Sequence, residues 1–162
     1  MASPSEFETS ASLRVDSAEA ALAHLRDPST WSSWQSEIES AAGPAPLQAG
    51  DHVAGDARML GFAVGGRADV VAAGDREVEH DVIVGIRMNV RYTLEPSGDG
   101  WLLTHRLKAE LPRGLSGRVL SVFLKRRLRR MQRRLVADLS ASITQSAAAT
   151  RPDPGERSET VI

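Results

Sequence analysis

Three side chains in this sequence have the chemistry to hold or move a proton inside a fold: His80, Tyr92 and His105. Each lies in a stretch with period-two alternation, so each shares a face with apolar neighbours. Val78, Val82 and Val84 put His80 on the apolar side of its segment. Ile86, Met88, Val90, Tyr92 and Leu94 form one apolar side of the next segment, and Trp101, Leu103, Leu107, Ala109 and Leu111 carry His105 inward. A hairpin turning at Gly85 sets His80 opposite Val90, and a following turn centred on Gly98 sets Val90 opposite His105. The two histidines then flank Val90 in one row, roughly 10 Å apart at two strand spacings. That is too far to share a metal ion, whose bonds to nitrogen are about 2.1 Å. No metal site is expected. The spacing suits two polar anchors for one elongated, mostly apolar ligand. The opposing reading makes each histidine a core residue bonded to a neighbour, and Tyr92 a core tyrosine with its hydroxyl at the rim.

The elements that must position these groups follow from the same patterning. Phe7, Thr9, Ala11, Leu13 and Val15 alternate with polar residues as in a half-buried strand. Asp16, with Glu19 three residues on, has the arrangement of a capping box for a short helix carrying Ala18, Leu22 and Leu25. Pro28 opens a second short helix, where Trp31 and Trp34 share a face. Strand character then recurs over Ser36 to Ala42, Val53 to Met59, Phe62 to Ala72, Val78 to Val84, Ile86 to Leu94 and Trp101 to Leu111. Gly55, Gly65 and Gly66 inside strand patterns predict bulges or sharp bends.

From about Leu115 to Gln145 the period changes to that of a helix. Leu120, Leu124, Leu128, Met131, Leu135, Leu139 and Ile143 form a core-facing stripe along a rod roughly 45 Å long. This stripe is the obvious cover for one face of the antiparallel sheet. A strongly bent sheet cannot close flat against one long helix, so an internal space is expected. Its walls should include His80, Met88, Val90, Tyr92, Leu103 and His105, with Leu124 and Leu128 from the helix. Met59 and Phe62, around a turn at Gly61, should close one end, and Trp34 with Trp31 should line the other end or cap the core.

The element order, the segment Asp27-Pro28-Ser29-Thr30-Trp31-Ser32-Ser33-Trp34 and the long final helix resemble the START-like superfamily, also called SRPBCC or helix-grip. Within it the chain is most similar to the bacterial polyketide cyclase/dehydrase group. The resemblance implies an α+β domain over residues 1–146, with a curved antiparallel sheet wrapped around the C-terminal helix. It also implies a cavity for a small hydrophobic molecule such as a lipid, a polyketide or a quinone. Cyclase-like chemistry would fall to His80, His105 or Tyr92, because aldol closure needs a proton taken from carbon and an enolate oxygen stabilised. No cofactor is implied. Relatives with this fold include both enzymes and binding proteins, so the fold alone does not decide.

Other chemistries find no support. The chain has 162 residues and no cysteine, which excludes disulfides, thiolate metal sites and a cysteine nucleophile. No serine lies in a Gly-X-Ser-X-Gly elbow, and the Gly61 to Gly66 stretch is not a phosphate loop. No apolar run approaches the length of a membrane span, and no signal peptide is evident, so a cytoplasmic location is expected. Residues 147–162 lack periodicity and read as a disordered tail.

Charge is unevenly distributed. Residues 1–112 hold 9 Lys/Arg against 17 Asp/Glu, whereas residues 113–150 hold 9 Lys/Arg against one acid. Seven of the ten residues in Lys125–Arg134 are basic, on the outer side of the long helix. Either the acidic body neutralises this run, or the run docks on an anionic membrane or RNA. The sequence leaves the oligomeric state open.

Overall fold

The computed structural model describes residues 5–59, 61–111 and 115–149. The chain runs β1 (Ser5–Val15), α1 (Ala18–Leu25), a 3-10 turn (Pro28–Thr30), α2 (Trp31–Trp34), β2 (Ile38–Ala42), β3 (His52–Met59), β4 (Phe62–Ala73), β5 (Glu77–Val84), β6 (Ile86–Ser97), β7 (Gly100–Leu111) and α3 (Leu115–Ala149). The seven strands form one antiparallel sheet in the order β1-β7-β6-β5-β4-β3-β2. Apart from β1, which pairs with the last strand, the sheet is a meander of consecutive neighbours. α3 packs across its concave side, so the fold is the expected α+β helix-grip.

On the α3 stripe Leu124, Leu128, Leu135, Leu139 and Ile143 all sit in the core, and Met131 is partly buried. Leu120 lies outside the described side chains. The helix reaches Ala149, past the start expected for a disordered tail, and residues 150–162 lie outside the described residues. The N-cap of α1 is Ser17 rather than Asp16. The Ser17 hydroxyl accepts from the Ala20 amide at 3.1 Å, and Asp16 remains exposed. A serine one residue nearer the helix meets the orphan amide, which the acid cannot reach from its place.

The bends fall elsewhere than the glycines alone suggest. Register shifts occur between Ile38 and Ser40 in β2 and between Val70 and Ala72 in β4. Gly65 and Gly66 pair in regular register with Asp56 and Gly55. Gly55 does have a steric role beside the β2 bulge. A Cβ there would lie 2.0 Å from the Ser40 carbonyl oxygen, so only glycine lets the two strands approach.

Two apolar clusters hold the sheet to the helix. One joins Leu25, Trp31, Trp34, Val53, Tyr92 and Leu103 to Leu135, Leu139 and Ile143. The other joins Phe7, Val84, Met88, Leu107 and Leu111 to Leu124 and Leu128. Between them the sheet and helix separate.

Candidate functional site

The separation forms a largely apolar cavity of about 130 Å³, partly open to the surface. A water needs about 10–15 Å³ of such space, so this one is many waters large and is not a packing flaw. Trp31 and Trp34 form one end, with both indole N–H groups already satisfied by the Leu25 carbonyl at 3.2 Å and the Thr30 hydroxyl at 3.3 Å. They therefore offer the cavity their apolar faces. Met59, Val84 and Met88 line it from the sheet, and Met131 and Leu135 from α3. Methionines at three points make a wall that can repack around ligands of different outline.

Of the residues expected at this site, Trp34, Met59, His80, Met88, Val90, Tyr92 and His105 line the cavity. Leu103, Leu124 and Leu128 do not. They are buried in the two flanking clusters, where the sheet and helix are in direct contact. Phe62 does not close the cavity. It is 73% exposed at the β3–β4 turn, because it is the first residue of β4 and sits at the tip of the hairpin.

The polar groups are arranged differently from the expected row. The turn at Gly85 sets His80 opposite Val90, as expected. The next pairing differs by two residues: Val90 faces Leu107, and Tyr92 faces His105. The reason lies in the β6–β7 turn. Ser97 pairs with Gly100 around a two-residue loop in which Gly98 takes a left-handed φ of 64°, so both strands run further toward the turn than their apolar patterns show. A slip of two keeps every side chain on its face. His105 thus stays inside but becomes Tyr92's neighbour.

The result is a chain of rings along the cavity wall. Ring centroids lie 5.2 Å apart for Trp31 and His80, 6.5 Å for His80 and Tyr92, and 4.8 Å for Tyr92 and His105. Tyr92 stands between the two histidines, in the place expected for Val90.

His105 is held by a residue that patterning alone did not mark as functional. Gln132 on α3 is 2% exposed. Its Oε1 accepts from the Thr9 hydroxyl at 3.0 Å, while its amide nitrogen faces the carbonyl oxygens of Thr9 and His105 at 3.3 and 3.1 Å. Carbonyl oxygens only accept, so these contacts fix which end of the amide is NH₂. The same NH₂ meets His105 Nδ1 at 2.8 Å. Nδ1 must then be the acceptor, and the ring's proton sits on Nε2. The signal was present in the sequence. Gln132 follows Leu128 by four and precedes Leu135 by three, so it lies on the buried stripe although the residues around it are basic.

His80 has no such support. It is 4% exposed, and its Nε2 is buried without a hydrogen-bond partner among the described residues. Burial lowers the pKa of His80 from 6.5 to about 4, and it does the same for His105. Burial raises the Tyr92 hydroxyl above its ordinary value. All three groups are therefore neutral near pH 7.

Comparison with known proteins agrees with this architecture. The model of the family described as "Polyketide cyclase / dehydrase and lipid transport" matches residues 6–144. No curated protein sequence matches the chain. Among solved structures, a START superfamily protein from Mycobacterium smegmatis superposes with a TM-score of 0.71 at 19% identity, covering 86% of this chain and 98% of that one. The Zhui aromatase/cyclase from Streptomyces sp. R1128 gives 0.69 at 13% identity, covering 91% and 99%. The di-domain ARO/CYC StfQ of the steffimycin pathway gives 0.72 at 15% identity, covering 88% of this chain, which spans only 52% of that larger protein. At these identities the structures share a fold, and the family match carries further: the chain belongs to the polyketide cyclase/dehydrase and lipid transport family.

Proposed function

We propose that this protein binds a small, mostly apolar molecule in the cavity between sheet and helix, with one polar group of the ligand meeting the unpartnered ring nitrogen of His80. The observation that carries this reading is that nitrogen. A buried polar atom with no partner costs about 1–3 kcal/mol, and a ligand that pairs with it recovers that energy. The walls supply apolar contact, and His80, Tyr92 and the Nε2–H of His105 supply orientation. A lipid, polyketide or quinone-like molecule has the required combination of apolar body and oxygen acceptors. A cytoplasmic site of action belongs to the same proposal.

The aromatase/cyclase names of two structural neighbours favour a second reading, acid–base ring closure on a bound polyketide. Acid–base catalysis is most efficient when the catalytic pKa is near the working pH. A histidine at about 4 is a weak base, and a tyrosine raised above its usual value is a weak acid. The cavity is thus better suited to holding a ligand than to moving its protons.

Native mass spectrometry of the protein purified without denaturation tests the binding reading. A retained small molecule is expected in the parent, with its occupancy sharply reduced in His80→Phe. A parent that carries nothing and takes up no apolar molecule from a lipid extract would contradict it. Turnover of a poly-β-ketone thioester, abolished in His80→Phe and Tyr92→Phe, would instead establish the catalytic reading.

A further inference from the structure

The outer face of α3 is charged in a way that the rest of the molecule is not. Several arginines on the sheet have an acid within reach: Arg106 contacts Glu8 at 3.2 Å, Arg67 contacts Asp69 at 3.3 Å, and Arg58 and Arg91 pair with Glu39 and Glu77. No residue of Lys125–Arg134 has an ion pair among the described residues. Lys125 and Arg129 lie over the Phe7 ring at 5.8 and 5.4 Å, which leaves their charges uncompensated. Among the described residues the acidic body does not neutralise the run.

The same face carries two large apolar side chains. Val122 is 70% exposed and Phe123 is 56% exposed. At 100° per residue, Val122 stacks above Arg126 and Arg129, and Phe123 above Arg126, Arg127 and Arg130. A pair of apolar side chains at the head of a basic ridge, on a helix whose other side is buried, has the composition of an interfacial surface. We infer that this face docks on a lipid bilayer with anionic headgroups, the arginines facing the headgroups and Val122 and Phe123 entering the acyl boundary. Charge alone would fit RNA as well. The apolar pair decides between them, because a valine beside the lone phenylalanine gives no stacking platform but adds apolar area to a bilayer contact. The inference stands on the outer face of α3 and does not depend on a ligand in the cavity.

Vesicle co-sedimentation with the full chain tests it, using phosphatidylserine-containing vesicles, pure phosphatidylcholine vesicles and a ribosomal RNA fragment. The parent should bind the anionic vesicles at low salt, release at high salt, and bind the neutral vesicles and the RNA more weakly. Arg126, Arg130 and Arg133 converted together to glutamine should lower anionic-vesicle affinity roughly hundredfold. Val122→Ser with Phe123→Ser should lower it about tenfold at unchanged charge. Circular dichroism of each variant should match the parent, since all five side chains are exposed. No association with anionic vesicles at low salt would overturn the inference, as would tighter binding to RNA or an unchanged affinity in the double serine variant. The three arms on the parent decide between lipid and RNA even if a variant fails to fold.

Discussion

His80 and His105 face the same cavity from β5 and β7, on either side of β6, are buried to nearly the same degree, and have pKa values lowered to about 4 by the same loss of water. They differ in what lies behind them. His105 has Gln132, which is itself gripped by Thr9, so its tautomer and orientation are set before any ligand arrives. His80 has Trp31 on one side, Tyr92 on the other, and an Nε2 with no partner. Burial therefore does not distinguish a histidine satisfied within the fold from one that is not. The hydrogen-bond inventory does. A fold that leaves one of two equivalent groups unsatisfied keeps a cost that only something from outside can remove.

The largest effect should come from what the two histidines share. In the unfolded chain each would titrate near 6.5, and in the folded protein near 4. Between these values the unfolded state binds more protons, so stability rises with pH. Each histidine contributes stability that is complete above pH 6.5 and lost as pH falls toward about 4, on the order of 3 kcal/mol apiece. Urea unfolding at a series of pH values should show a slope approaching two protons across this window. Replacing either histidine with phenylalanine should halve it. A flat profile would mean that neither ring is buried neutral.

A smaller effect should separate the two. Gln132→Leu removes the donor to His105 Nδ1 and leaves the Thr9 hydroxyl and two carbonyl oxygens without that partner. It should cost about 1–3 kcal/mol in urea unfolding at pH 7. The smallest effect should come from His80→Phe, which deletes an unpartnered polar atom and no hydrogen bond. Its stability at pH 7 should equal the parent's or exceed it by about 1 kcal/mol. His105→Phe at the same pH should destabilise, because it removes the hydrogen bond from the Gln132 amide to the ring nitrogen. If the two phenylalanine variants lose stability equally, the asymmetry between the histidines is wrong.

Most of the fold was legible because each level of the sequence repeats the same message. Alternation in β5, β6 and β7 fixes which residues point inward, and the four-and-three stripe of α3 fixes the surface they meet. The inward placement of His80, Tyr92 and His105 followed from phase alone. Their mutual arrangement did not. The β6–β7 register depends on the turn at Gly98, and a slip of two residues leaves the apolar pattern unchanged, so periodicity cannot detect it. Phe62 shows a similar limit. Apolar character placed it at the cavity, yet its position at a hairpin tip exposes it. Gln132 was obscured by its neighbours, since seven basic residues in ten draw the eye to the outer face. The stripe geometry points inward at that position, and the single uncharged polar residue there has the donors and acceptor to satisfy a buried imidazole.

Nitrogen-15 NMR of the imidazole rings tests the asymmetry most directly, recorded as the pH is lowered from 7 and again after an apolar ligand found by native mass spectrometry is added. Both rings should remain neutral well below pH 6.5. His105 should appear as a single tautomer protonated on Nε2, and that tautomer should persist when the ligand binds. The resonance of the unpartnered His80 nitrogen should move on binding as it gains a hydrogen bond. Rings that titrate near the ordinary histidine value, a His105 protonated on Nδ1, or a ligand that shifts His105 and leaves His80 unchanged would contradict the account.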